Sequence, residues 1–297
     1  MSKKIFWIAS YPKSGNTLLR SIISSLFFSD NGVFDFNIIK KIDQFEVTER
    51  LNFIKNLNEE DYCNLNKIDI ISKYWQIIQH HESKKIKKDF GFLKTHSALI
   101  SINSNVFTSE TLTKGYIYVI RDPRDVVISW SKHSGLELNE SIDFITNDNS
   151  CNAWVSKKKL KKENKILCYI SSWKQNVISW TKNNIMVPKL LIKFEDLVYN
   201  KENVILDIIY FFKKNYNIEI RNVDNKIKNI LHSTNFQTMK KLEEKFGFKE
   251  AVNGPFFRDG SKNQWQNILN DNQIEKLENC FKETMKECGY KFKKELK

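Results

Sequence analysis

The apolar run Ile5-Phe-Trp-Ile-Ala9 leads directly into Ser10-Tyr-Pro-Lys-Ser-Gly-Asn-Thr17 and then into Leu18-Leu-Arg-Ser-Ile-Ile-Ser-Ser-Leu26. A buried strand, a tight turn with a lysine, hydroxyls and one glycine, and a helix start in that order admit few folds. Backbone N–H groups at a helix N-terminus lack intrahelical partners and lie at the positive end of the helix dipole, so the turn suits a phosphate or a sulfate. The phosphate loop G-x-x-x-x-G-K-[ST] does not fit. Aligning Lys13-Ser14 with its Lys-Ser/Thr puts Trp7 and Pro12 where its two glycines stand, and none of the nine glycines restores the pattern.

Further apolar runs at Phe90–Lys94, Tyr116–Ile120 and Leu190–Phe194 read, with Ile5–Ala9, as strands of a buried parallel sheet. Helical periodicity lies between them at Thr17–Phe28, Pro123–Lys132, Ile166–Lys182, Val204–Tyr216 and Gln273–Cys288. The alternation predicts an α/β fold, a doubly wound and mostly parallel sheet flanked by helices, with its ligand at the carboxyl ends of the strands. Lys13, His96 and Arg121 each fall just after a predicted strand. Asp122 reads as an N-cap before Pro123, which makes Asp122, Pro123 and Asp125 mainly structural. One domain over residues 1–297 is expected, because no Gly-, Ser- or Pro-rich linker interrupts the chain.

The formal charge of +13 raises a nucleic-acid reading, but only six of the 48 basic residues are arginine. Runs such as Lys84-Lys-Ile-Lys-Lys88 and Lys157-Lys-Lys-Leu-Lys-Lys162 read as solvated faces, so nucleic acid is not expected as a partner. Their field still attracts a multiply charged ligand. Five separated cysteines (Cys63, Cys151, Cys168, Cys280, Cys288) form no C-x-x-C pair and suit reduced thiols of a cytoplasmic protein. The first strand follows Met1-Ser-Lys-Lys4, leaving no room for a signal peptide, and no apolar run approaches membrane-spanning length. His80-His81 reads as a helix end rather than an H-E-x-x-H site, and no metal is expected.

Tyr11-Pro-Lys-Ser-Gly-Asn-Thr17 resembles the 5′-phosphosulfate loop of the soluble, cytosolic-type sulfotransferases. Three more segments follow in that family's order: Phe92-Leu-Lys-Thr-His96; Gly115–Ser129, with Arg121 and Ser129 eight residues apart; and Phe256-Phe-Arg-Asp-Gly260. Leu190–Leu197 and Ser233-Thr-Asn-Phe236 resemble its nucleoside-binding strand and turn. The stretches Ser29–Asp89 and Ser134–Lys165 match no motif. The resemblance implies the P-loop nucleotide-kinase-like sulfotransferase fold and 3′-phosphoadenosine 5′-phosphosulfate (PAPS) as donor, with adenosine 3′,5′-bisphosphate (PAP) as product. A small-molecule hydroxyl or amine is the implied acceptor. By the same resemblance, Lys13 stabilises the leaving oxygen, and Ser14, Gly15, Asn16 and Thr17 hold the 5′-phosphate and sulfuryl oxygens. Arg121, Ser129, Arg258 and Gly260 meet the 3′-phosphate, while Phe194, Thr234 and Phe236 hold the nucleoside. His96 is the implied general base, with Lys94 adding charge beside it.

The chain departs from that pattern at Leu18, where the family has an adenine-stacking tryptophan, at Phe194 in place of tyrosine, and at Asp259 in place of lysine. The C-terminal dimerisation signature is not recognisable in Trp265-Gln-Asn-Ile-Leu-Asn270. Neither acceptor identity nor oligomeric state is encoded in a motif. Tyr74, Trp75, Phe90, Trp154 and Phe248 are candidates for an apolar acceptor pocket, against the commoner role of core. The competing readings are a nucleotide-dependent kinase on the same architecture and a non-catalytic binder of nucleotide or nucleic acid.

Overall fold

The computed structural model of the protein describes residues 3–54, 64, 67–152 and 167–296. Its largest sheet holds β1 (Lys4–Ser10), β2 (Asp43–Gln44), β3 (Phe90–Thr95), β4 (Thr113–Ile120) and β5 (Lys189–Lys193), in the order β2-β3-β1-β4-β5. The helices used below are α1 (Asn16–Phe28), α2 (Trp75–Lys85), α3 (Pro123–Ser134), α4 (Trp173–Thr181), α5 (Phe194–Tyr199), α6 (Lys201–Tyr216), α7 (Val223–Ser233), α8 (Phe236–Phe246) and α9 (Asp271–Glu287). This is the α/β class that the alternating apolar runs predict. β1 runs parallel to β3, with Lys4 opposite Phe90 and Ala9 opposite Thr95, and β2 runs parallel to β3 on its other side. Ile5–Ala9 is wholly buried, as an unbroken apolar strand covered on both faces must be.

Some boundaries differ from the periodicity. The strand expected to run through Phe194 stops at Lys193, because Phe194 opens α5, whose first turn carries Glu195 and Asp196 where the helix dipole favours them. The helix expected from Ile166 begins only at Trp173. Ile166 lies outside the described residues, Cys168–Tyr169 pairs antiparallel with Cys151–Asn152, and the Ser172 side chain caps α4 by accepting from the Gln175 N–H. Such a cap is worth about 1 kcal/mol, enough to set a boundary that apolar spacing blurs. His80 and His81 fall inside α2 rather than at its end. The run 157–162 and Cys63 lie outside the described residues.

The residues group into two compact units, each discontinuous in sequence. The first comprises Met1–Tyr11, Asp43–Tyr118 and Phe144–Lys189, and the second Pro12–Ile42, Val119–Asp143 and Leu190–Lys297. In the first, Trp7 packs edge-on against Phe45, with ring centroids 5.3 Å apart, and meets Phe107, which also contacts Trp75 and Trp180. The Trp7 indole donates to Thr113 Oγ1 at 3.1 Å, so its one polar atom is paired within the core. In the second, Asp122 caps α3 by accepting from the Arg124 N–H. The buried Arg124 side chain in turn pairs with Asp122 and Glu278 and stacks on Trp265. Asp125 accepts from the backbone N–H groups of Asn263 and Trp265, at 2.8 and 3.1 Å, and so ties the segment after Gly260 to α3.

Candidate active site

The residues singled out from the sequence fall into two clusters, one in each unit. In the second unit, Gly15 precedes α1 with φ 101°, and a Cβ there would come within 2.6 Å of Phe194 Cδ2; both the left-handed backbone and the close ring require glycine. No side chain caps α1 and its first turn carries no acidic residue of its own; the carboxylate that reaches this end, Glu250 on Thr17, comes from a distant segment of the chain. Ser14 is fully buried, and its hydroxyl has no hydrogen-bond partner among the described residues. A buried hydroxyl left in that state costs about 1–3 kcal/mol, a cost that an anion seated on the loop removes.

Lys13 also has a positive φ, and its ammonium lies 4.2 Å from the centroid of the Phe256 ring. Its carbonyl accepts from Arg121 Nη1 at 3.1 Å. Arg121 is buried, donates from Nη2 to the Ser261 carbonyl at 3.3 Å, and packs 4.1 Å from the Phe194 centroid. Burial lowers its pKa, opposed chiefly by the charge of Asp125. The guanidinium therefore links the Lys13 turn to the segment after Gly260. Thr17 Oγ1 donates to Glu250 Oε2 at 2.9 Å while Arg20 Nη1 holds Oε1 at 2.5 Å; Glu250 lies in no motif read from the sequence.

The C-terminal loop belongs to the same cluster. Glu243 accepts from the N–H groups of Phe256 and Phe257, at 2.6 and 2.9 Å, and fixes the turn before Arg258. Arg258 is half-buried, and burial lowers its pKa against the pull of Glu243. Among the described residues its guanidinium has neither a hydrogen bond nor an ion pair. The Asp259 carboxylate turns back on its own loop and accepts from the Ser261 N–H at 3.2 Å. Gly260 has φ 73° and packs so closely on Phe236 that a Cβ would lie 2.9 Å from Cδ2. Leu18, Phe236, Phe248 and Phe256 all pack on the buried cluster of Phe34, Ile39, Met239 and Phe257, so Leu18 is placed among rings rather than in solvent. Thr234 is buried, with its carbonyl held at 2.7 Å by Lys201 Nζ, whose pKa burial lowers to about 8. Asn235 caps α8, which makes Phe236 a first-turn residue, and Ser129 lies half-buried on α3.

In the first unit, His96 directly follows β3 and is buried. Its Nδ1 stands 2.8 Å from the Ser10 carbonyl oxygen and 3.3 Å from Ser10 Oγ. A carbonyl only accepts, so Nδ1 carries a proton; in the neutral ring that leaves Nε2 as the acceptor, the tautomer a general base needs. Asn176 Nδ2 donates to the His96 carbonyl at 3.0 Å, and Asn176 is itself fixed by the Ile170 carbonyl and by the Tyr118 hydroxyl. On either side of His96, Thr95 Oγ1 and Ser97 Oγ donate to Glu46 Oε1 at 2.5 and 2.7 Å. Burial raises the Glu46 pKa, and hydrogen bonds from Thr95 and Ser97 lead the opposing effects. Lys94 is buried, and its carbonyl accepts from the Phe45 N–H. Of the aromatic candidates, Trp75 is core and Phe90 packs on Phe6 and Phe92, whereas Phe248 sits in the cluster of the second unit; Trp154 lies outside the described residues.

Sequence reasoning missed Glu46, Asn176 and Ser10. Glu46 follows a two-residue strand, too short for any period, and its one signal was a lone carboxylate between Phe45 and Val47. Among the described residues no helix is long and apolar enough to cross a membrane, and no group of three or more His, Cys, Asp or Glu is placed to hold a metal ion.

An α/β fold with an uncapped helix start after β1 and a buried histidine after β3 is a framework that suits a group-transfer enzyme. Residues 3–289 match the sulfotransferase domain, and the chain belongs to that family. The chain is 22% identical to luciferin sulfotransferase of Photinus pyralis over 94% of this chain and 70% of that one. It is also 22% identical to amine sulfotransferase of Oryctolagus cuniculus, over 96% of this chain and 82% of that one. Among solved structures it resembles mouse sulfotransferase SULT7A1 complexed with PAP, at 19% identity and TM-score 0.57 over 96% of this chain and 84% of that one. It also resembles retinol dehydratase in a complex with retinol and PAP, at 16% identity and TM-score 0.61 over 96% and 82%. Membership of this family favours sulfuryl transfer over the kinase and non-catalytic readings.

Proposed function

We propose that the chain transfers a sulfuryl group from PAPS to the hydroxyl or amine of a small acceptor and releases PAP. The observation that carries this reading is the buried, unpartnered Ser14 hydroxyl beside the uncapped start of α1. The related structures are complexes with PAP, and the relatives are a luciferin and an amine sulfotransferase, which supports the donor and the range of acceptors.

The residues fit the donor. Ser14 and the first N–H groups of α1 hold its 5′-phosphate and sulfuryl oxygens. Arg258 supplies a fork without a hydrogen-bonded or ionic partner among the described residues for the 3′-phosphate. Arg121 steadies the Lys13 turn and the Ser261 segment, and Ser129 and Gly260 complete that phosphate site. Phe236, with Thr234, borders the base, and Phe194 packs on Gly15 and Arg121. PAPS supplies an activated sulfuryl group that moves to the acceptor as the bond from sulfur to phosphate oxygen breaks. Lys13 places positive charge for the departing oxygen, His96 Nε2 takes the acceptor proton, and Lys94 adds charge beside it.

Thermal unfolding with PAP, with ATP plus magnesium and with an oligonucleotide tests the reading; PAP alone is expected to stabilise the protein, and stabilisation by ATP alone overturns the proposal. Transfer from ³⁵S-labelled PAPS to 2-naphthol, 1-octanol and 2-naphthylamine then sorts phenol, alcohol and amine acceptors.

A further inference from the structure

We infer that Glu46 is the positioning residue of His96, holding the ring in its proton-accepting tautomer without itself touching the acceptor. The role in transfer rests on the reading of His96 as base. Glu46 is 8% exposed and lies between the buried Phe45 and the partly buried Val47. A buried carboxylate is costly unless its oxygens are well paired. Here one oxygen takes both Thr95 Oγ1 and Ser97 Oγ, the side chains immediately before and after His96, and the other lies 3.4 Å from Gln44 Nε2. The Ser97 N–H closes the same turn on Thr95 Oγ1 at 3.0 Å.

The carbonyls of this turn are held separately. Asn176 takes that of His96, and the Trp180 indole donates to that of Ser97 at 2.9 Å. Thr95–Ser97 is thus clamped through its hydroxyls by Glu46 and through its carbonyls by α4. Only with that backbone in place does His96 Nδ1 reach the Ser10 carbonyl that fixes the tautomer. β2 supplies the geometry: Gln44 sits opposite Lys94 and the Phe45 N–H bonds the Lys94 carbonyl, a register that carries Glu46 level with His96, between Thr95 and Ser97. A further titratable group at this turn is Cys168, whose Sγ is 3.4 Å from Ser97 Oγ and whose pKa is raised by burial and by the Glu46 charge. A thiol kept protonated adds no competing anion.

The test uses the full chain and the variants Glu46→Gln, Thr95→Val and Ser97→Ala, each checked for folding by thermal unfolding. The first readout needs no acceptor: imidazole ¹⁵N spectra, with His96 assigned by its loss in His96→Ala. The wild type is expected to show His96 as the Nδ1–H tautomer, and Glu46→Gln as a mixture of tautomers. A wild-type His96 signal in folded Glu46→Gln overturns the inference. If Glu46→Gln does not fold, Thr95→Val and Ser97→Ala carry the same test, with unshifted His96 signals in both overturning it. The second readout is turnover of the accepted member of the naphthol, octanol and naphthylamine panel. There kcat is expected to fall about 10- to 100-fold with PAP affinity unchanged, as for a small misplacement of a catalytic group. Glu46→Gln should add nothing in a His96→Ala background, and an equal further loss there overturns the inference. Full activity of His96→Ala overturns the base assignment instead, while the ring spectra still decide whether Glu46 sets the tautomer.

Discussion

The two clusters differ in how far the protein satisfies its own polar groups. Around His96 the turn is closed from within: Nδ1 meets Ser10, the flanking hydroxyls meet Glu46, and the carbonyls meet Asn176 and Trp180. At the start of α1 the opposite holds, with a buried Ser14 hydroxyl lacking a protein partner and a helix end that no side chain caps. The first cluster is complete without a ligand, as suits a group whose task is to present one ring nitrogen. The second carries the cost of unmet donors, as suits a cradle for an anion brought from outside.

That contrast can be broken at several points, and the largest effect is expected at His96. His96→Ala should lower sulfuryl transfer by about 10²- to 10⁴-fold, the usual contribution of a general base, with PAP affinity nearly unchanged by calorimetry. A large loss of PAP binding would mean that the closed cluster also holds the donor. Lys13→Ala comes next, with kcat about 10²- to 10³-fold lower in single-turnover assays, the scale for one charge-stabilising group. Gly15→Ala acts on the open cluster through its backbone. A left-handed alanine costs about 1–2 kcal/mol before the contact with Phe194 is counted, so PAP binding and thermal stability should fall together. Arg258→Ala should be the mildest. PAP affinity is expected to drop about 10-fold, as for one charged hydrogen bond, with the melting temperature unchanged because the side chain has no hydrogen-bonded or ionic partner to lose among the described residues. Unchanged PAP affinity would remove Arg258 from the donor site.

Much of the open cluster was legible because it is local. Strand, turn and helix follow one another within residues 4–28, and the bare lysine-glycine turn already excluded the triphosphate loop. Asp259 and Leu18 depart from the family pattern, and the structure places both: Asp259 bonds its own loop, and Leu18 packs on the buried cluster of Phe34, Ile39, Met239 and Phe257. The closed cluster was legible only at Lys94-Thr-His96. Its clamp joins residues far apart in the chain: Glu46 is 49 residues from Thr95, and Asn176 is 80 from His96. No local pattern marks such pairs.

Where strands give way to turns, and which side chains stand there, was legible in the sequence, because hydrophobic period and turn chemistry act between neighbours. The tertiary structure alone decided which hydroxyl is left unmet, which carboxylate steadies the histidine and which ring nitrogen bears the proton. Those outcomes depend on burial and on partners delivered by distant strands and helices, and a buried polar group is satisfied or orphaned only once the chain has closed around it.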